Sequence, residues 1–131
     1  MKLITPSRLI ALLLAGLFSA GTLAQDTTPP MTALAEIAGI VSSINHFPSD
    51  ADKARLMVFA ENENYPPGLR DMATTVASIS HSATAEGREA MARVIADEQV
   101  PDSARELARI ISDLNHTASD ADKAKIEMLF P

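Results

Sequence analysis

From residue 31 onward, apolar residues recur at helical spacing. Ile37, Ile40, Val41 and Ile44 fall at i, i+3, i+4 and i+7, one stripe of an amphipathic helix. The stripe returns at Met72, Val76 and Ile79, and again at Leu107, Ile110, Ile111 and Leu114. These segments superpose without gaps at an interval of 35 residues, the separation of His46, His81 and His116. Ala38, Ala73 and Ala108 share a phase, as do Ser49, Thr84 and Ser119. Ser49-Asp50-Ala51-Asp52-Lys53-Ala54 recurs intact from Ser119 to Ala124. The mature chain is therefore one unit written three times.

Each unit predicts two helices. The first starts at or near a proline, where the missing N–H has no intrahelical partner to lose, and runs to about the histidine. The second starts after Ser49, Thr84 or Ser119. Ser49 with Asp52, and Ser119 with Asp122, match a cap with an acidic third residue, while copy two carries Gly87 there. The predicted class is all-α: three tandem helical hairpins (31–65, 66–100 and 101–131) stacked as a short α-solenoid, with a compact six-helix bundle as the alternative. The period is close to that of tetratricopeptide repeats, but their Trp, Gly and Tyr pattern is absent, so only the shape is compared.

The segment before the repeats has a different pattern. Lys2 and Arg8 precede the apolar run Leu9–Phe18, and small and polar residues follow through Ala24. That order predicts a secretory signal peptide over 1–24, cut after Ala24, with Ala20 the second choice. The run is shorter than the about 20 residues that span a bilayer, so no stable membrane anchor is expected after cleavage. Residues 25–30 read as a flexible, proline-ended lead-in. The expected location is periplasmic or secreted, in a bacterial envelope.

Composition narrows the chemistry. The full chain has 131 residues, a formal charge of −6 and no cysteine. Disulfides, thiolate metal sites and thiol catalysis are thereby excluded, and the acidic balance argues against nucleic acid. No nucleophile elbow, zinc-protease motif or phosphate-cradling glycine loop occurs, so no enzyme activity and no cofactor are expected.

Several residues remain as candidates. His46, His81 and His116 end the first helices in phase. The favoured reading is structural, each imidazole bonding the last carbonyls or the next cap. Helices pack 8–10 Å apart, so a row of repeats holds equivalent side chains too far apart for one ion. The alternative is a metal-binding or pH-responsive protein, each histidine drawing on Asp50 and Asp52 or Asp120 and Asp122. Lys53, Arg88 and Lys123 form an in-phase basic row, with a solvated pairing to Glu36, Asp71 and Glu106 or an anionic partner as its two readings. Tyr65, in the most irregular loop, is a candidate contact residue. The leading functional expectation is an exported, non-enzymatic protein–protein interaction or accessory module. Its partner would be a protein or peptide, and the apolar end Met128-Leu129-Phe130 suggests a homodimer.

Overall fold

The computed structural model describes residues 26–131; the predicted signal peptide lies outside them. The described residues form six helices and no strands: α1 (Pro30–Ser43), α2 (Asp50–Glu61), α3 (Pro67–Ala77), α4 (Ala85–Ala96), α5 (Asp102–Asp113) and α6 (Asp120–Leu129). The all-α class and the two helices per repeat are as the periodicity predicts. Proline starts the first helix of each unit: Pro30 and Pro67 occupy N1 of α1 and α3, and Pro101 is the N-cap of α5.

The second helices are capped by side chains. The Ser49, Thr84 and Ser119 hydroxyls accept from the N–H three residues on, at 3.1, 3.0 and 3.1 Å. Only α6 completes a reciprocal capping box, through the Asp122 carboxylate. Gly87 does not lengthen the cap bond of copy two. Its role is steric: a Cβ there would lie 2.7 Å from Cγ2 of buried Thr75. In copies one and three Ile40 and Ile110 take the phase of Thr75, and Asp52 and Asp122 that of Gly87.

The core comes from both helices of every unit. Ile37, Val41, Met72, Val76, Leu107 and Ile111 are buried from the first helices, and Leu56, Phe59, Met91, Val94 and Ile126 from the second. Ala38, Ala73 and Ala108 have no exposed surface. Small side chains at these positions let the first helices approach closely. α1, α3 and α5 each pack against the other two, and α1 also packs against α6. The first and third units therefore touch, and the three units surround a common axis.

The N-terminal lead-in differs from its expectation. Asp26 is ion-paired to Arg55, whose Nη2 also reaches Thr28 Oγ1 at 3.2 Å. Asn62 donates to the Asp26 carbonyl at 3.0 Å, and the Tyr65 hydroxyl to the Thr28 carbonyl at 2.6 Å. Residues 26–28 are thus tied to α2 and the loop after it. A polar composition suggested a free segment, but it is the polar groups that hold it down.

Candidate metal centre

The turn joining the two helices of each unit is built the same way three times. Ile44, Ile79 and Leu114 are buried on one side of the histidine, and Pro48, Ala83 and Ala118 on the other. With both flanks anchored in the core, the chain must reverse sharply between them. His46, His81 and His116 make that reversal in the left-handed region, with φ of 72°, 70° and 65°. No other non-glycine residue among those described has a positive φ.

This conformation turns the backbone of each histidine toward the other two. His46 N–H donates to the His116 carbonyl at 2.7 Å, His81 N–H to the His46 carbonyl at 2.6 Å, and His116 N–H to the His81 carbonyl at 2.5 Å. The result is a closed cycle of three hydrogen bonds, one donor and one acceptor from each repeat. Each N–H and C=O in it has a partner.

The side chains converge with the backbone. Imidazole centroids lie 5.1 Å apart for His46 and His81, and 5.0 Å for the other two pairs. One ring nitrogen from each can be chosen so that all three lie within 4.8 Å of one another. The imidazoles do not cap the second helices, whose caps are Ser49, Thr84 and Ser119; the rings of His46 and His116 bond Asn45 and Asn115 instead. Nor are they kept apart by helix packing. The 8–10 Å spacing holds between helix axes, whereas turns around a common axis point inward and meet.

Asparagine orients two of the rings. His46 Nδ1 lies 2.7 Å from Asn45 Oδ1, and His116 Nδ1 lies 2.6 Å from Asn115 Oδ1. A carbonyl oxygen only accepts, so each Nδ1 is the donor in this contact, which in the neutral ring leaves the lone pair on Nε2. This is the outer-shell arrangement that fixes the tautomer of a metal-binding histidine. Ser80 takes the asparagine position beside His81. His46 is half-buried, and His81 and His116 are exposed.

The aspartates expected to join the histidines do not. Among the described residues the cluster consists of the three imidazoles alone. Asp50 and Asp120 open their helices, and Asp52 and Asp122 occupy the third helical position, where Asp122 Oδ2 takes the Ser119 hydroxyl at 2.7 Å. Helix initiation accounts for all four.

The basic row is also placed differently. The carboxylate of Glu36 is held by Arg55, at 2.8 and 3.1 Å, and that of Glu106 by Lys125 at 2.6 Å and Arg109 at 2.8 Å. Arg55 and Lys125 lie two residues beyond Lys53 and Lys123 and reach back to the preceding helix, while Arg109 lies one turn beyond Glu106 on the same helix. Lys53 Nζ sits 5.8 Å from the centre of the Phe47 ring, and Arg88 donates to Ser82 Oγ at 3.3 Å. Both cations therefore stand beside the residue that follows a histidine. The Lys125 hydrogen bond holds the Glu106 carboxyl below its ordinary range, and Glu106 raises Lys125 in return.

Tyr65 is not a surface contact. It is buried, stacks at a tilt 5.9 Å from Phe59, and burial raises its phenol above the ordinary value. Its position in an irregular loop reflects the docking of Thr28. Phe130 packs against the core while Met128 stays exposed. At the far end of the inner helices, an apolar cleft of about 530 Å³ opens among Met31, Leu34, Leu69, Met72 and Val100.

No family model, curated protein or solved structure matches the chain.

Proposed function

We propose that this is a transition-metal-binding protein whose site is the trio His46, His81 and His116. The observation that carries the reading is the convergence of three imidazoles from three repeats, each on a left-handed backbone. A side chain with a Cβ costs about 1–2 kcal/mol in that conformation, and glycine adopts it freely. A turn selected for shape alone would use glycine. Histidine at all three positions supports a use for the ring.

The donor set suits the ion class. Three neutral imidazoles favour Zn²⁺, Co²⁺, Ni²⁺ or Cu²⁺ over the oxygen-seeking Mg²⁺ and Ca²⁺. Zinc–nitrogen bonds of about 2.0–2.1 Å in a tetrahedron place ligand nitrogens roughly 3.3 Å apart. The trio offers one nitrogen from each ring within 4.8 Å of the other two, so binding would draw these nitrogens closer together. The arrangement of the units fits the compact six-helix bundle better than the open solenoid, since the site needs the first and third repeats in contact. With the signal segment predicted over residues 1–24, metal handling belongs to the cell envelope.

Calorimetric titration of residues 25–131 with Zn²⁺ tests this. One ion per chain, bound at micromolar affinity or tighter and lost when all three histidines become alanine, is the expected result. Absence of binding, or binding that survives the triple substitution, overturns it. Exposed Met57, Val58 and Met128 favour a second reading, the interaction module or homodimer. That reading expects light scattering to report a dimer without added metal, and a clean monomer at high concentration counts against it.

A further inference from the structure

We infer that the metal held by His46, His81 and His116 keeps a fourth position open to solvent and takes a small inorganic anion there. The inference rests on the metal-binding reading above and adds a second ligand to it. Three features of the site lead to it. First, the ligand set is incomplete: among the described residues only three side chains converge, and no aspartate or glutamate joins them. Asp50 and Asp120 open their helices, Asp52 and Asp122 stand at the third helical position, and Asp122 is engaged in its cap. Second, the ligands are neutral, so a divalent ion keeps its whole double charge, and a fourth donor that is anionic is favoured over water. Third, the open side is accessible, because His81 and His116 are exposed and His46 is half-buried.

The surroundings tune this preference. Lys53 and Arg88 flank the turns, at Phe47 and Ser82, the residues after His46 and His81. The starts of α2, α4 and α6 and the ends of α1, α3 and α5 meet at these turns, so their helix dipoles offset one another. Exposed Asp50 and Asp120 oppose the two cations. The metal charge, not the surface field, is therefore the main attraction, and Lys53 and Arg88 modulate it. Binding is a ligand exchange: an anion lone pair forms the bond to the metal and one bound water leaves. No electron is transferred. The chemical class is a small, hard-to-borderline monoanion or oxyanion of the size of azide, thiocyanate or bicarbonate.

Cobalt(II) gives the test, since its visible absorption depends on coordination number and on the fourth ligand. Residues 25–131 are loaded with Co²⁺ and titrated with sodium azide, and the oligomeric state is followed by sedimentation. The expected result is a four-coordinate Co²⁺ spectrum that shifts along a saturable 1:1 azide isotherm while the protein stays monomeric. A Lys53→Gln, Arg88→Gln variant should bind Co²⁺ unchanged and azide roughly threefold more weakly, the range of exposed charge pairs. If Co²⁺ binds and azide leaves the spectrum unmoved, the open position is refuted and the metal site stands. If Co²⁺ draws two copies together and azide leaves them paired, a partner side chain fills the position and the inference is again refuted. If Co²⁺ does not bind at all, the metal-binding reading itself falls.

Discussion

Replacing His81 by glycine and, separately, by alanine distinguishes the backbone role of the turn residue from the role of its ring. His81 is the cleanest of the three because its imidazole is exposed and no asparagine holds it. Its ring centroid lies 5.1 Å from that of His46 and 5.0 Å from that of His116, edge-on in both pairs, contacts worth together about 1 kcal/mol. Alanine loses these and keeps the left-handed strain, so it should be about 1 kcal/mol less stable than the wild type. Glycine loses them too, regains about 1–2 kcal/mol of strain, and gives back about 0.5–1 kcal/mol in chain entropy. The metal-free glycine variant should therefore lie close to the wild type and about 0.5–1 kcal/mol above the alanine variant. That is roughly 3–6 °C in Tm for a domain of this size. In a helix interior the order is reversed, with glycine about 1 kcal/mol worse. The assay is thermal melting followed by circular dichroism, first in EDTA and then with Zn²⁺. A hundredfold excess over Kd stabilises the wild type by about 2.7 kcal/mol, and neither variant should show that gain with two imidazoles left. An alanine variant as stable as the glycine variant would refute the left-handed turn, and a full metal response in either would refute the trio.

Three further outcomes follow from the packing. Gly87→Ala should destabilise by about 1–2 kcal/mol despite the better helix propensity of alanine, because its Cβ meets Thr75 Cγ2 at 2.7 Å. Adding Thr75→Ser should recover most of that loss in denaturant melts. Ser119→Ala should cost about 1 kcal/mol and more than Ser49→Ala, since only the former breaks a reciprocal capping box. The lead-in should be released by acid. The Asp26 carboxyl is pulled down to about 2 from 3.8, by hydrogen bonds from the hydroxyl and then the N–H of Thr28, with Arg55 adding to them. A depressed carboxyl contributes stability above about pH 4 and loses it as the pH falls through about 2. Tyr65, the single tyrosine in a chain without tryptophan, reports this by its fluorescence. Arg55→Ala should shift that signal toward its acid value at neutral pH, and an unchanged signal would show that the ion pair does not hold the segment.

Much of this architecture is legible in the sequence because it is local. The 3.6-residue period defines each helix, proline and the Ser/Thr caps define its start, and the in-phase residues define the repeat. The legible part ends where rotation between copies begins. A repeat interval of 35 residues fixes the translation from one unit to the next along the chain, not the turn each makes about an axis. An open row and a closed ring therefore share one sequence pattern. The pairing of Glu36 and Glu106 failed for a related reason. Residues 53 and 55 are both on the first turns of α2, but only residue 55 faces the preceding helix, and a two-residue step reverses the direction of a side chain. Tyr65 was obscured by the lead-in, since nothing in Asp26-Thr27-Thr28 marks it as a segment that docks.

The ring closure and the candidate site have one cause. A hairpin anchored by Ile44 and Pro48 must reverse in between, and with the residue between them in the left-handed region its N–H and C=O both point out of the hairpin. One such unit would leave a donor and an acceptor bare. Two would satisfy one of each. Three units around an axis satisfy all of them in a cycle, and the same closure brings three side chains to one point. The site is therefore a property of the closed ring and not of any single repeat. A chain that opens between its first and third units loses the hydrogen-bond cycle and the third imidazole together. On the proposed metal-binding reading, an ion that needs all three imidazoles would favour the closed state by the difference between its affinities for the closed and open chains.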